Sequence, residues 1–522
     1  MNDTSNTGNE SPISFLKEVS GGATVVQLSD EDNVAVALRN IDVGEKAAKI
    51  TAKEEIPKGH KIALTEITEG SVVTKYAQTI GYASKDIATG EHAHTHNIEF
   101  RPTDHQYDFG IDNSPPKMLA TKSSFMGYRR SDGKAGTRNY IAILASVNCS
   151  ATAVQHIANA FDHKTLQEYP NIDGVVGLSH STGCGLAASG DGYDNLQRTI
   201  WGYAQHPNVA GVLLVGLGCE VNQISALIEQ SKLKRGQLLR TMNIQSVGGH
   251  KKTVAAGVAR VTEMLQQVND VTRVSCPASD LMLALQCGGS DAWSGITANP
   301  ALGYASDLLV ANGGTSVLAE TPEVYGAEHL LTRRATDEAI GRKLIDRIKW
   351  WEDHVARNGG SMDNNPSPGN KLGGLTTILE KSLGAVAKGG TTRLNGVYRY
   401  AEPIDRNGFV FMDSPGYDPA SITGEVAGGC NLVAFTTGRG STYGCKPVPS
   451  IKIATNTEMF DRMQDDMDIN AGKIVTEGAS VADVGQEIFD LLLEVASGRQ
   501  PLSEQHGLGD HEFIPWQIGA TM

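Results

Sequence analysis

The chain has 522 residues, 40 % of them apolar and only 6 % aromatic, with 58 glycines; it is too long for one core, and two to four ordinary globular domains rich in tight turns are expected. With Lys plus Arg at 45 and Asp plus Glu at 59, the net charge is −14, which argues against a general nucleic-acid or anionic-membrane partner and leaves room for a local basic pocket for an anionic small molecule. No apolar run reaches the ~18–20 residues of a membrane span, and the polar start MNDTSNTGNESPIS has no basic region or apolar core, so a cytoplasmic protein with a frayed tail over residues 1–13 is expected.

Residues 14–100 predict a small β-rich domain. NVAVALRNI and KIALTEI are short apolar or alternating runs, punctuated by the turn chemistry of VGEK, PKGH and TEGS. The unit closes on GEHAHTHN, which sets His92, His94 and His96, three of the 14 histidines, at alternate positions. On a flat strand such residues share one face at about 6–7 Å spacing. That is too far for one ion to take all three, but two suffice if the strand bends. The competing reading is a polar, solvated strand end. Residues 101–126, with Pro, Asp and Ser and little periodicity, read as a linker.

From residue 139 the texture changes. NYIAILASVNC is a buried-strand run followed by the helical spacing of AVQHIANAF. DGVVGLSHSTGCG and GVLLVGLGCEVN repeat the strand-then-loop pattern, the latter leading into QISALIEQ. LMLALQCGGSD is a fourth such run, although its first half also suits a helix. Residues 301–311 look helical, NGG at 312–314 ends that helix, and TSVLAE is a strand. GFVFMDSPGYD and NLVAFTTGRG repeat the pattern. NPSPGNKLGG (365–374) is a loop. Near the end Ser480 and Asp483 form a capping-box pair before the stripe Val484, Ile488, Leu491, Leu492, Val495. Continuous apolar runs followed by helices imply parallel strands buried on both faces. The expected fold of this part is therefore α/β.

The seven cysteines are an odd number without framework spacing, which fits thiols, metal ligands or core residues better than disulfides. Cys149, Cys184, Cys219 and Cys287 all fall at or just beyond the ends of apolar runs, where an open parallel sheet binds ligands. Their shared placement suggests one site, for iron, zinc or an iron–sulfur cluster. Other strand ends carry His180, Asp291, Glu320, Asp413 and Arg439. A histidine there suits acid–base work, and an arginine among glycines suits a carboxylate clamp; each alone is more often a capping or solvated residue. GLGCEV lacks the third glycine of a dinucleotide fingerprint, NPSPGNK is no phosphate loop, and DDMD does not fit a calcium loop.

The stretches DNVAVALR, IPKGHKIAL, YAQTIGYAS, GEHAHTHN, GLGCE, QCGGSDAWSGITANPALG, NPSPGNKLGG, EKSLG, FTTGRGSTYG, IKIATNTE and DINAG run in order from about residue 32 to 498, and with them the chain resembles the altronate/galactarate dehydratases (altronate hydrolases). The resemblance implies an N-terminal SAF-type β domain followed by two α/β regions with largely parallel sheets, a second domain over 127–270 and a C-terminal catalytic domain over 271–522. It implies a hydro-lyase that takes water from C2–C3 of a sugar acid to give a 2-keto-3-deoxy acid. The H-x-H-N pattern resembles the altronate branch, so D-altronate to 2-dehydro-3-deoxy-D-gluconate is expected. The alternatives are galactarate or another aldonate or aldarate, then a sulfolactate sulfo-lyase, then a sugar-acid-binding module without catalysis. The implied cofactor is ferrous iron (Fe2+) or manganese, with an iron–sulfur cluster open. The implied metal ligands are His94, His96, Cys149, Cys184, Cys219 and Cys287. His180, Lys371 and Asp291 are the catalytic candidates. Asn97, Asn370, Arg439 and Ser290 are the substrate-binding candidates. The expected partner is the small-molecule sugar acid, not nucleic acid or membrane, and a homo-oligomer is left open.

Overall fold

The structure, a computed structural model, describes residues 24–102, 106–231 and 238–521; the tail expected over 1–13 lies outside the described residues. Strands Val25–Val26, Val34–Ala37, Lys61–Ala63 and His92–Ala93 form an antiparallel sheet in that order. A second small sheet orders Val72–Lys75, Gln78–Ala83 and Ile98–Glu99. One local device recurs four times, as IDVG, IPKG, ITEG and IATG. Ile41, Ile56, Ile67 and Ile87 are buried and bridge pairwise, while Gly44, Gly59, Gly70 and Gly90 take φ between +81° and +88°. Only glycine adopts that backbone freely, so each repeat plants an anchor and reverses the chain. The device has no fixed period, because the repeats start 15, 11 and 20 residues apart.

The second region is a parallel sheet in the order Gly174–Leu178, Tyr140–Ala145, Val209–Gly216, Leu239–Asn243. Helices Ala151–Ala158 and His250–Asn269 cover one face, and Asp191–Ala204 lies on the other. The third is a wholly parallel seven-stranded sheet in the order Leu394–Tyr398, Gly408–Met412, Thr315–Leu318, Met282–Cys287, Leu432–Thr437, Ser450–Ala454, Ile469–Asn470. Helices Ala298–Ala311 and Val481–Ala496 pack together on one face. The other face carries Asp418–Gly428, which packs on Asp191–Ala204 so closely that a Cβ at Gly202 would lie 2.2 Å from the Ala427 carbonyl. This joins the two α/β regions into one apolar core.

The mixed α/β fold with a strand-rich first domain is thus as expected. LMLALQC is strand along Met282–Cys287, not helix, because neighbours pair with it on both edges. Strand Ser124–Arg129 begins inside the expected linker and joins Ala135–Gly136 and Val274–Pro277. Ser480 and Asp483 do form a capping box. Among the described residues no helix is long and apolar enough to cross a membrane.

Candidate active site

The histidines do not form a flat row. His92 lies in the strand paired with Ile62, but the chain turns immediately after Ala93. Asn97 makes the turn: its Oδ1 accepts from His94 N at 2.8 Å and its Nδ2 donates to His92 O at 2.9 Å. The turn stacks the His92 and His94 rings 5.3 Å apart, closer than a flat strand permits, and brings His96 within 5.2 Å of His92. A fourth histidine completes the group. His60 follows the IPKG turn, its ring 4.5 Å from that of His94 and its Nδ1 2.9 Å from His92 Nε2. Ligand atoms of His60, His92 and His94 all lie within 4.8 Å of one another. His96 is exposed and outside this trio.

Burial, helped by the neighbouring imidazoles and Lys61, holds His92 and His94 down at about 3 and lowers His60 as well. Near neutral pH these rings are therefore uncharged, the state a metal ligand requires. His94 Nδ1 is buried without a hydrogen-bond partner, an orphan that a coordinated cation would satisfy. Three neutral imidazoles suit iron better than manganese, which prefers oxygen donors. The residues present fit the ion the resemblance implies.

The trio faces the third domain. His60 Nε2 contacts Leu372 O at 3.3 Å, and a Cβ on Gly59 would lie 3.3 Å from Trp293 Nε1. Leu372 ends the short helix Pro368–Leu372, which a Ser367–Asn370 capping box starts inside the stretch expected as a loop, and Asn370 Nδ2 donates to Ser290 O at 2.8 Å. Ser290 in turn follows Cys287 at the carboxyl end of the central strand, and Arg439 follows the adjacent strand, its N–H bonded to Gly289 O at 2.8 Å. From Met282–Cys287 the chain builds the sheet in one direction, and from Leu432–Thr437 in the other. The crevice between two such strands is where open α/β sheets bind ligands.

The candidates named from the sequence fall into distinct places. Ser290 and Arg439 stand at this crevice through the Asn370 and Gly289 contacts, and Lys371 precedes Leu372, whose carbonyl meets His60. Ser290 Oγ is buried and unpartnered, whereas Arg439 is exposed and makes no ion pair among the described residues. Asn370 and Asn97 lie there too, but their amides are committed to Ser367, Ser290, His92 and His94. Asp291 is fully enclosed, its carboxylate receiving Trp293 N, Ser294 N and Oγ, Thr455 Oγ1 and Asn456 Nδ2 at 3.0–3.1 Å. Burial raises its pKa, and those donors work against the rise. His180 lies elsewhere: Nε2 bonds Ala145 O at 3.0 Å and Nδ1 accepts from Thr182 N at 3.3 Å. Burial lowers it to about 4. It is a neutral strap between two strand ends.

The four cysteines do not form one set. Cys149, Cys184 and Cys219 are exposed on the second domain, while Cys287 is buried with Lys388 Nζ 2.9 Å from its sulfur. Cys287, Glu320 and Glu323 bring ligand atoms within 4.8 Å, yet Lys388 and Lys381 already face this cavity. Lys381 Nζ is 2.7 Å from Glu323, so two ammonium groups repel a further cation. Burial drives Glu320 well above the ordinary carboxyl range. Beneath the histidines, Glu380 takes Lys61 at 2.9 Å and Lys75 at 2.9 Å, all three side chains at most 1 % exposed. Burial lowers Lys61 to about 8. His60, Lys61, Lys75 and Glu380 were not singled out by sequence. The one signal for His60 was its position after an IxxG turn, shared with Glu91 before the histidine row.

Three family models match the chain: the altronate/galactarate dehydratase SAF domain over residues 23–101, the D-galactarate dehydratase/altronate hydrolase second domain over 127–269, and the D-galactarate/altronate dehydratase C-terminal domain over 278–521. The chain belongs to the altronate/galactarate dehydratase family. It is 37 % identical to an altronate dehydratase of Bacillus subtilis (strain 168) over 95 % of this chain and 99 % of that one. It is 36 % identical to an altronate dehydratase of Escherichia coli (strain K12), over 94 % and 98 % respectively. A galactarate dehydratase (L-threo-forming) of the same organism is 37 % identical over 94 % and 97 %. As a member of this family the chain is an enzyme, a hydro-lyase.

Proposed function

We propose that the enzyme removes water from a sugar acid, D-altronate first among them, to give 2-dehydro-3-deoxy-D-gluconate, with ferrous iron held by His60, His92 and His94. The observation that carries this reading is the convergence of three uncharged imidazoles with the Ser290 and Arg439 loops at the crevice of the large sheet. The bound ion would supply Lewis acidity for charge developing beside the substrate carboxylate. Arg439 clamps that carboxylate, with the bidentate geometry that lysine lacks. Ser290 Oγ, buried without a partner, binds a substrate hydroxyl. Lys371, in the same short helix as the Leu372 whose carbonyl meets His60, takes the C2 proton as its neutral amine and becomes the ammonium. His96, beside His92 and open to solvent, protonates the departing C3 hydroxyl. The C2 proton and the C3 hydroxyl leave as water, and the enol tautomerises to the 2-keto acid. Asn97 and Asn370 act as positioning residues.

Galactarate is the second reading, because the galactarate enzyme stands at the same 37 % identity as one altronate enzyme. The test is an anaerobic assay with ferrous iron on D-altronate, galactarate and a panel of aldonates, following the 2-keto-3-deoxy product. Turnover of altronate above the others is the expected result. Turnover of galactarate alone replaces the substrate, and turnover of none of them overturns the reading.

A further inference from the structure

The second domain has a crevice of its own. Its strand order places Tyr140–Ala145 between Gly174–Leu178 and Val209–Gly216. The chain therefore proceeds to one side of Tyr140–Ala145 and then returns to the other, and the crevice at the carboxyl ends is a ligand position by the same rule as before. Cys149, Cys184 and Cys219 follow these three neighbouring strands in turn. All three are exposed, while the other four cysteines of the chain are buried. Cysteine is among the most buried residue types, so three exposed thiols on one sheet edge call for a cause.

The loops that carry them are tied to one another. Asn148 N donates to Thr182 O at 2.9 Å, Asn222 N to Gly183 O at 3.2 Å, and Asn222 Nδ2 to Ser146 O at 2.8 Å. A Cβ at Gly183 would lie 2.5 Å from Ser146 O, so glycine there permits the close approach. Beneath them buried Glu220 accepts from Ser146 Oγ at 2.7 Å and Gly218 N at 2.6 Å. Gln245 Nε2 points at Cys219 Sγ at 3.3 Å; donors of this kind tune cluster thiolates.

We propose that Cys149, Cys184 and Cys219 hold a cubane iron–sulfur cluster, each thiolate on a different iron and the fourth iron without a ligand from this chain. A single zinc gathers three or four protein ligands on one ion, which sets their donor atoms close together. Here the three thiols are not among the described groups whose ligand atoms lie within 4.8 Å of one another, whereas thiolates bound to separate irons stand further apart. The nearby nitrogen and oxygen donors are spent: both His180 ring nitrogens and both Glu220 oxygens bond to the loops themselves. Cys287 is no fourth ligand, being buried against Lys388.

The test is independent of substrate. Full-length enzyme is purified anaerobically, and iron and acid-labile sulfide are counted before and after reconstitution with ferrous iron and sulfide. The expected result is about four irons and four sulfides per chain beyond the histidine-bound ion, with broad visible absorbance bleached by dithionite. Cys149→Ser, Cys184→Ser and Cys219→Ser should each reduce sulfide at least tenfold with unchanged circular dichroism and melting temperature. His94→Ala should keep the sulfide in full, so a failure of the dehydratase reading is told apart from a failure here. Sulfide absent from the reconstituted wild type, sulfide retained in the three serine variants, or zinc bound without sulfide would each overturn the proposal.

Discussion

Replacing Glu380 with Gln keeps its shape and removes one buried charge. Its carboxylate faces Lys61 at 2.9 and 3.1 Å and Lys75 at 2.9 Å, and also receives Thr376 N and Oγ1. At an effective dielectric of 20, each ammonium contact is worth about 6 kcal/mol of Coulomb energy, largely offset by desolvation. Removing one partner of such a group leaves uncompensated buried charge and costs about 3–5 kcal/mol. Because Lys61 and Lys75 belong to the first domain and Glu380 to the third, the cost falls on docking, shifting that equilibrium roughly a hundredfold to several-thousandfold. Calorimetry should show the first transition falling by about 6–20 °C, with faster protease cleavage between residues 101 and 126. The two lysines hold Glu380 well below its ordinary value of 4.5, although burial opposes them. Its contribution is therefore complete above about pH 4.5 and is lost as pH falls toward the folded value, and Glu380→Gln should flatten that acid limb. A variant melting within ~2 °C of wild type, with an unchanged acid limb, would refute the reasoning.

Three further outcomes are expected. His60→Ala, His92→Ala and His94→Ala should each lose bound ferrous iron and turnover together, while His96→Ala keeps its iron and loses kcat; equilibrium dialysis and single-turnover assays separate the two. Asn97→Ala removes two hydrogen bonds that shape the histidine turn and should weaken iron binding about 10–100-fold, as loss of a supporting partner does, with less than ~3 kcal/mol lost from unfolding. Arg439→Lys should raise KM about tenfold or more while kcat changes less, since one of two charge-assisted bonds goes; an unchanged KM would remove Arg439 from the carboxylate site.

Much of the α/β framework is legible because buried parallel strands write themselves as continuous apolar runs: IAIL, VVGL, VLLVG, LALQ, FVFM and LVAF are all strands. What escapes is where burial and polarity part company. Ser450–Ala454 is wholly buried yet carries Lys452 at its centre, whose Nζ donates to Tyr443 O at 3.2 Å. Leu239–Asn243 is a half-exposed edge strand without alternation. The histidine site is half legible. Spacing finds the row His92, His94 and His96, but the ligand pair expected from it, His94 and His96, shares only His94 with the observed trio, and His60 joins through pairing of Lys61–Ala63 with His92–Ala93, a contact 32 residues distant in sequence. The common placement of four cysteines at strand ends is real, but they end strands of two different sheets. Sequence position cannot separate the exposed three from Cys287. His180 and Asp291 show the converse, polar residues at strand ends whose atoms are consumed in holding the ends together.

The Lys61–Glu380 contact spans 319 residues. At roughly 5–20 residues per second, the ribosome delivers Glu380 about 15–60 s after Lys61. During that interval the first domain has already joined His60 to His92 and His94, but its two inward lysines have only water as counterpart. The carbonyl that meets His60, the short helix that carries Lys371 and the carboxylate that neutralises the lysines all arrive late, Lys371, Leu372 and Glu380 lying within ten residues of one another. Synthesis therefore makes the imidazole cluster first and its opposing wall last, and the late carboxylate makes closure of the first domain over the large sheet conditional on that wall having been made.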